Sequence, residues 1–170
     1  MTLKIVSGGQ TGADRAALDA ALAAGVPCGG WCPKGRRAED GTIPPRYPLT
    51  ELSSTSYPQR TRRNVAESDG TLIVSFGPPD RGTALTFRYC QTERKPNLVI
   101  DAVTTPAERA VQQLAMFVAR HRIKTLNVAG PRASKQPKVY EYVRRLLGEY
   151  LVSRRGDEVA IKAHRRCARR

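Results

Sequence analysis

The polar side chains best placed for chemistry follow short apolar runs that predict β-strands. The run at residues 3–6 is followed by SGGQTGAD, the run at 71–76 by GPPDRGTALT, and KTLNVA at 124–129 by GPRAS. Ligands of an open parallel sheet bind outside the carboxyl ends of its strands, near the point where the strand order reverses. These strand exits are therefore the first candidates for a ligand site.

The SGGQTGAD segment predicts an anion site at the start of a helix. It fits neither G-x-x-x-x-G-K-[ST] nor G-x-G-x-x-G, which leaves a glycine turn delivering a helix N-terminus, whose N–H groups and positive dipole end suit an anion. Thr11 is predicted to cap this helix, with Asp14 completing a capping box. The alternative is that the glycines only permit close packing of helix on strand. The ligand-binding candidates in this segment are Gly8, Gly9, Gln10, Thr11, Gly12 and Asp14.

Two later strand exits supply further candidates. Gly82 and Thr83 are predicted to open a helix whose N-terminus points at the same place, with an ordinary N-cap at Thr83 as the alternative. After the last strand, Gly130 and Pro131 predict a sharp turn, and Arg132 offers a planar fork for phosphate or carboxylate. The same segments add Thr86, Asn127 and Ser134.

A proline-rich segment over residues 33–56 predicts a loop that serves as a lid or a binding loop. In it, Lys34, Arg36 and Arg37 could clamp an anion. Glu39 and Asp40 could pair with these bases, act in acid/base chemistry or bind a metal. A mixed-charge surface loop is the alternative reading of the same residues.

Residues 58–68 predict a helix that presents Arg60, Arg63 and Asn64 on one face, and Arg60 and Asn64 complete the ligand-binding candidates. No Ser/His/Asp or Cys/His set is arranged where a nucleophile would need a base. We therefore assign no catalytic residue from the sequence, which leaves open whether the protein is an enzyme.

The composition points to anionic partners. The 29 Lys and Arg residues against 15 Asp and Glu residues give a formal charge of +14, which favours phosphorylated metabolites, nucleic acid or an acidic protein. Residues 154–170 are rich in Lys and Arg but carry no aromatic residue for bases to stack on, so a solvated extension is favoured over a nucleic-acid contact.

Four scattered cysteines and two histidines favour reduced thiols over a metal site. We expect a cytoplasmic protein that does not enter a membrane, because no apolar span or signal peptide is present.

Strand and helix patterns alternate along the chain, which predicts an α/β fold with a mostly parallel central sheet and helices on both faces. Residues 1–153 are expected to form one domain and residues 154–170 a basic C-terminal extension. The run at 71–76 should be central in the sheet. The predicted helices cover residues 12–24, 58–68, 82–94, about 105–121, and a segment that follows Pro137.

Five segments spread over residues 4–150 resemble one family. They are GGQTGADRAALDAA, GGWCPKGRRAEDGTIPPRYPLTE, YPQRTRRNVAESDGTLIVSF, RGTALT and LNVAGPRAS. In this order they resemble the molybdenum carrier protein family, a circularly permuted YpsA-like branch of the SLOG superfamily of Rossmann-like domains. The resemblance lapses beyond Arg154. It implies a Rossmann-like three-layer sandwich with a ligand cleft built from these loops.

The resemblance also implies a ligand class. The family name refers to similarity to an algal protein that binds and protects the molybdenum cofactor, a pterin with a phosphate and a metal dithiolene. We therefore expect a phosphorylated pterin or nucleotide-like ligand, with molybdenum cofactor as the candidate. Its phosphate is expected at the helix N-termini after Gly9 and Gly82, neutralised by Arg36, Arg60 or Arg132.

The resemblance leaves two alternative functions open. Some SLOG hydrolases cleave the base from a nucleoside monophosphate with a P-G-G-x-G-T-x-x-E motif. Gly82 and Thr83 match its G-T pair, but Thr86 stands at the glutamate position, so Glu39 or Asp40 would have to supply a carboxylate from another loop. The third function is nucleic-acid binding through the basic surface.

For the partners, the resemblance implies a homo-oligomer and a small anionic ligand. The ring or ribose of that ligand would be read by Gln10, Asp14 and Asn127.

Overall fold

Helices and strands alternate along the chain, as the sequence predicts. The computed structural model describes residues 3–167. In chain order the elements are β1 (Lys4–Val6), α1 (Ala13–Ala23), β2 (Cys28–Gly29), β3 (Trp31–Cys32), β4 (Arg37–Ala38), β5 (Gly41–Thr42), β6 (Thr50–Glu51), α2 (Tyr57–Ala66), β7 (Gly70–Ser75), α3 (Arg81–Thr92), β8 (Asn97–Asp101), α4 (Ala107–His121), β9 (Thr125–Ala129) and α5 (Val139–Cys167).

Five of these strands form one parallel sheet in the order β2-β1-β9-β7-β8. The strand order reverses beside β1, because the chain leaves β1 toward β2 but leaves β7 toward β8. The apolar run at 71–76 forms β7, which lies inside the sheet between β9 and β8, whereas β9 is the middle strand. The carboxyl ends of β1, β9 and β7 are therefore neighbours, and their exits meet at one edge of the sheet.

Helices cover both faces of the sheet, and successive residues of β7 show how. Leu72 and Val74 belong to the large core that α1, α4 and α5 form on one face. Ile73 lies in a smaller cluster with Val65 of α2 and Cys90 of α3 on the other face. Alternation along a strand sends successive side chains to opposite faces, so both layers bury apolar surface against β7. The α/β three-layer architecture is confirmed.

Residues 28–56, of which β2 also belongs to the main sheet, form a small packed unit instead of an open loop. Its short strands pair as β3 with β6 and β4 with β5, and Ile43 and Tyr47 are buried against Leu18 of α1. Arg36 holds the unit together, since its guanidinium donates to the carbonyls of Ile43, Pro44, Tyr47 and Leu49. These bonds give Arg36 a structural role within the unit.

The predicted cap at Thr11 is wrong, and so is the alternative cap at Thr83. α1 begins after Gly12 and has no side-chain cap, because the Thr11 hydroxyl accepts from the Ala133 N–H instead. α3 is capped by Asp80, whose carboxylate accepts from the Thr83 N–H at 2.7 Å. The partner of Thr11 is distant in sequence, so local spacing does not reveal it, whereas the Asp80 cap is a local contact three residues before Thr83.

The C-terminal helix is longer than the sequence pattern indicates. α5 continues to Cys167, so residue 154, the predicted start of a separate extension, lies inside a helix. The extension's last residues, 168–170, lie outside the described residues. Within the described part of the chain, no helix combines the length and the apolar character that a membrane span requires.

Gly12 and Gly148 provide a matched test of backbone constraint. Gly12 has φ of 78°, and a Cβ there would lie 2.6 Å from the Pro131 carbonyl oxygen, whereas a Cβ on Gly148 in α5 would meet nothing. We expect Gly12→Ala to lower the free energy of unfolding by about 2–4 kcal/mol. Gly148→Ala should raise it by roughly 0.5–1 kcal/mol, because alanine is the better helix former. Urea denaturation measures both, and equal effects would contradict this account.

Candidate functional site

A pocket of about 700 Å³ opens at the carboxyl ends of β1, β9 and β7, between α2 and α3. It is built from the strand exits that the sequence indicates, together with one face of α2. Gly82 at the start of α3, Gly130 after β9 and Gln10 after β1 all border this one space. The candidates that line it are Gln10, Asp14, Arg60, Asn64, Gly82, Thr86, Asn127, Gly130 and Arg132.

The glycines after β1 allow other segments of the chain to pack closely against this turn, as the alternative interpretation of SGGQTGAD predicts. A Cβ on Gly8 would overlap the guanidinium of Arg60, and one on Gly9 would overlap Leu49 of the packed unit at residues 28–56. Gly12 lies against the backbone of residues 131–133. Gly8, Gly9 and Gly12 therefore let three other segments approach the end of β1, and none of them lines the pocket.

Gln10, Asp14 and Arg60 form one side of the pocket, which we term the buried wall. Asp14 is only 5% exposed, and its carboxylate lies 3.2 Å from Nη1 of Arg60. Burial raises the pKa of Asp14, although Arg60 and the backbone N–H of Gln10 act to lower it. The wall therefore combines a positive and a negative group in a desolvated setting.

The N-terminus of α1 is largely occupied by the protein itself. Asp14 accepts from the Gln10 N–H at 3.2 Å, and the Ala13 N–H donates to the Pro131 carbonyl at 3.2 Å. At α3, the Asp80 carboxylate caps the helix and places a negative charge where the phosphate is expected. These contacts favour side chains, and not free helix ends, as the binding groups for an anion.

Three exposed basic side chains, Arg81, Arg132 and Lys135, border the same pocket, and we term them the basic rim. Arg132 has a side chain that is 44% exposed, and its guanidinium lies 3.8 Å from Glu39. The rim supplies positive charge at the solvent side of the pocket. The positive charge of the pocket is therefore concentrated away from the buried wall.

Helix α2 contributes a polar stripe to the pocket. Tyr57, Arg60, Thr61 and Asn64 follow one another at helical spacing and line it. The Asn64 amide, however, is committed to the backbone of Trp31, accepting from its N–H at 2.8 Å and donating to its carbonyl at 3.0 Å. Asn64 therefore fixes the packed unit against α2 and shapes the pocket indirectly.

Thr86 and Asn127 lie on the α3 and β9 sides of the pocket, and both are buried. The Thr86 hydroxyl donates to the carbonyl of Gly82 at 3.1 Å, and the Asn127 amide donates to the Thr71 hydroxyl at 3.3 Å. Thr86 stands where the P-G-G-x-G-T-x-x-E motif has its glutamate, so this position supplies no carboxylate. Thr83 and Pro131 border a smaller neighbouring cavity of about 230 Å³.

Glu39 forms a clasp that closes the site from outside. Its carboxylate accepts from the Thr11 hydroxyl and from the Ser134 hydroxyl and N–H, and its own N–H donates to Oε1 of Gln10 at 2.9 Å. Burial is the largest single influence and acts to raise the pKa of Glu39, but the hydrogen bonds from Ser134 and Thr11, together with Arg132, lower it overall. The clasp joins the packed unit, the start of α1 and the exit of β9.

The other charged candidates of the 33–56 segment lie away from the pocket. Asp40 pairs with Arg15 of α1, with 2.7 Å between Oδ1 and Nη2, and Arg15 lowers the pKa of Asp40. Lys34, Arg36 and Arg37 are not among the lining residues. The mixed-charge alternative thus describes these four side chains better than an anion clamp.

Several residues that line the pocket are not among the candidates from the sequence. Tyr57 and Thr61 carry a signal, because they share helical spacing with Arg60, and Arg81 stands directly beside the predicted Gly82. Lys135 has no local signal, since only the turn after β9 brings it to the pocket. The additional lining residues are Tyr57, Pro58, Thr61, Pro79, Asp80, Arg81, Leu85, Val128, Ala129 and Lys135.

The structure offers little for direct metal ligation. Within the part of the chain that is described, no group of three or more His, Cys, Asp or Glu residues is placed to hold a metal ion. Cys28, Cys32 and Cys90 are free thiols, and burial raises the pKa of each. None of the three lines the pocket.

Comparison with known proteins gives one family and one solved structure. Residues 5–151 match the family described as "Circularly permutated YpsA SLOG family". The chain is similar to a crystal structure named "Putative molybdenum carrier protein", from Syntrophus aciditrophicus SB, with 47% sequence identity and a TM-score of 0.86. The similarity covers 88% of this chain and 95% of that one. No curated protein matches the sequence.

The Glu39 clasp predicts a pH-dependent stability. A carboxyl whose pKa is lowered by folding stabilises the fold above its unfolded pKa, and that stability is lost as the pH falls through the folded pKa. We expect Glu39→Gln to be less stable than the parent at neutral pH, with the gap closing below about pH 4. Urea denaturation at several pH values measures the gap. Glu141→Gln, exposed on α5, is the control, and a gap for Glu39→Gln that does not change with pH would contradict the clasp.

Proposed function

This chain belongs to the circularly permutated YpsA SLOG family, and on that premise we propose that it binds a phosphorylated pterin or nucleotide-like ligand, with the molybdenum cofactor as the candidate. The observation that carries the proposal is the pocket at the ends of β1, β9 and β7. Its volume of about 700 Å³ falls in the range of roughly 300–1,000 Å³ that is usual for small-molecule sites.

The charge distribution of the pocket supports an anionic ligand. Arg81, Arg132 and Lys135 form the rim, and arginine forks suit phosphate oxygens. Because the helix N-termini already bond to protein groups, we assign the phosphate to this rim. Arg36, which the sequence offers for the same task, is engaged inside the packed unit at residues 28–56.

The name of the related structure supports molybdenum cofactor as the specific ligand. The pocket lining includes no cysteine or histidine, so in this proposal the protein contacts the pterin and the phosphate and leaves the metal to the cofactor's own sulfur atoms. A hydrolase of the P-G-G-x-G-T-x-x-E type would carry a glutamate where Thr86 stands, and the two acidic residues in the described lining already bond to protein groups, Asp14 to Arg60 and Asp80 to the Thr83 N–H. Binding of the ligand without hydrolysis therefore accounts for the pocket better than phosphoribohydrolase chemistry does.

A titration tests the proposal directly. We expect a pterin monophosphate, guanosine monophosphate or adenosine monophosphate to bind the full chain in calorimetry. Native mass spectrometry of protein purified anaerobically should reveal a copurifying pterin. If none of the three probes binds and no phosphorylated molecule copurifies, the proposal is wrong.

Arg81→Ala tests the rim. Loss of one charged hydrogen bond to phosphate costs about 1.5–3 kcal/mol, so the variant should bind the probes about 10-fold to 100-fold more weakly. Arg88→Ala is the matched control, because it removes an exposed arginine from the same helix but outside the pocket. Affinity in the Arg81→Ala variant equal to that in the Arg88→Ala variant would exclude a phosphate at this part of the rim.

A further inference from the structure

Two hydrogen-bond donors of the buried wall have no hydrogen-bond partner among the described residues. They are Nε2 of Gln10 and Nε of Arg60, both inaccessible to solvent. A buried polar group without a partner costs about 1–3 kcal/mol, and native proteins leave few such groups without a functional reason. Both atoms belong to residues that line the pocket, so a bound ligand is the natural partner once a small side-chain movement opens these atoms to the pocket.

The hydrogen bonds of Gln10 determine which of its amide atoms is unpartnered. Its Oε1 accepts from the Thr11 N–H at 3.0 Å and from the Glu39 N–H at 2.9 Å. An amide turned the other way would place its NH₂ group against two N–H donors, which is unfavourable. The unpartnered group is therefore the NH₂, a donor. Arg60 Nε is a donor as well, because the guanidinium group has N–H donors and no acceptor.

The buried wall is poorly suited to a phosphate. Asp14 is ion-paired with Arg60 at 3.2 Å, so the two charges compensate each other, and a phosphate would lie close to the Asp14 carboxylate in a desolvated place. Two donors with little net charge suit a neutral acceptor better. The excess positive charge lies instead on the exposed rim of Arg81, Arg132 and Lys135.

We propose that Gln10 and Arg60 read a neutral oxygen acceptor on the ligand's ring, so that the pocket prefers oxo-substituted heterocycles to amino-substituted ones. The ring then lies against the buried wall and the phosphate at the basic rim. This inference rests on the proposed function and specifies the ligand class and its orientation. Gln10, which is 7% exposed, is the specificity-determining residue.

The Thr86 hydroxyl, in another part of the pocket, also favours an oxo-substituted ring. Its one hydroxyl hydrogen is used by the Gly82 carbonyl, which leaves the oxygen only as an acceptor toward the pocket. A ring N–H beside an oxo group would match such an acceptor. An amino-substituted ring with an unprotonated ring nitrogen would place an acceptor near Thr86 and a donor near Gln10, which is the wrong arrangement on both sides.

Inosine and adenosine monophosphates provide the test with the unmodified chain. They differ at purine position 6, where one has an oxo group beside an N–H and the other an amino group beside a bare nitrogen. We expect the inosine form to bind at least about 10-fold more tightly, because sites built from buried polar groups reject analogues that leave them unpaired. The nucleosides without phosphate should bind more weakly but keep the same order of preference.

Gln10→Glu tests the residue itself with little change of shape. The variant keeps one oxygen for the Thr11 and Glu39 N–H groups and replaces the NH₂ by an acceptor. We expect the ratio of inosine to adenosine monophosphate affinity to fall by about 10-fold or more. Arg81→Ala should lower both affinities and leave their ratio unchanged, since it acts on the phosphate.

The outcomes separate this inference from the proposed function. If no phosphorylated probe binds, both proposals fail together. If both monophosphates bind the parent chain equally well, the ring reading is wrong and the proposed function stands. If the ratio of inosine to adenosine monophosphate affinity is the same in Gln10→Glu as in the parent chain, Gln10 does not determine the preference and that assignment is wrong. Should that variant fail to fold, the comparison of the two monophosphates on the parent chain still decides.

Discussion

Arg60 reaches from α2 across the exit of β1, and the space for its guanidinium exists because residue 8 has no side chain. The same guanidinium pairs with Asp14 at the start of α1, so one contact ties two helices to the sheet edge. Breaking a buried ion pair leaves an uncompensated charge and costs several kcal/mol. The pocket keeps its shape because these groups cannot separate without that cost.

The packed unit at residues 28–56 completes the site from outside. It is anchored by Glu39, which bonds to the start of α1 and to the turn after β9, and by Asn64, which bonds to Trp31. Its own rigidity comes from Arg36, whose guanidinium donates to four backbone carbonyls. A segment that the sequence presents as a lid or binding loop is therefore packed against the domain, and Glu39, Asp40 and Arg46 form their ion pairs with residues outside it. The excess positive charge is left to Arg81 and its neighbours on the rim.

The distribution of hydrogen-bond partners explains why side chains, and not free helix ends, supply the polar groups of the pocket. The Asp80 carboxylate caps α3, and Asp14 and the Pro131 carbonyl take N–H groups at α1. Dipole ends that are already bonded to protein groups attract an added anion less strongly. The pocket then has a nearly neutral, desolvated side and a charged, exposed side. Under the proposed function, this arrangement would orient an amphipathic ligand with its flat ring inside and its anionic group at the solvent.

Local patterns in the sequence were sufficient to predict the α/β architecture, because strand and helix periodicities reflect which side chains must be buried. They also indicated that the exits of β1, β7 and β9 border one pocket, since parallel strands end at one edge. Only the tertiary structure decided which candidates face the pocket. Gly8 and Gly9 serve packing, Arg36 serves its own loop, and Lys135 enters from a distant turn, because a polar side chain's partner depends on segments that the fold brings together and that sequence spacing does not encode.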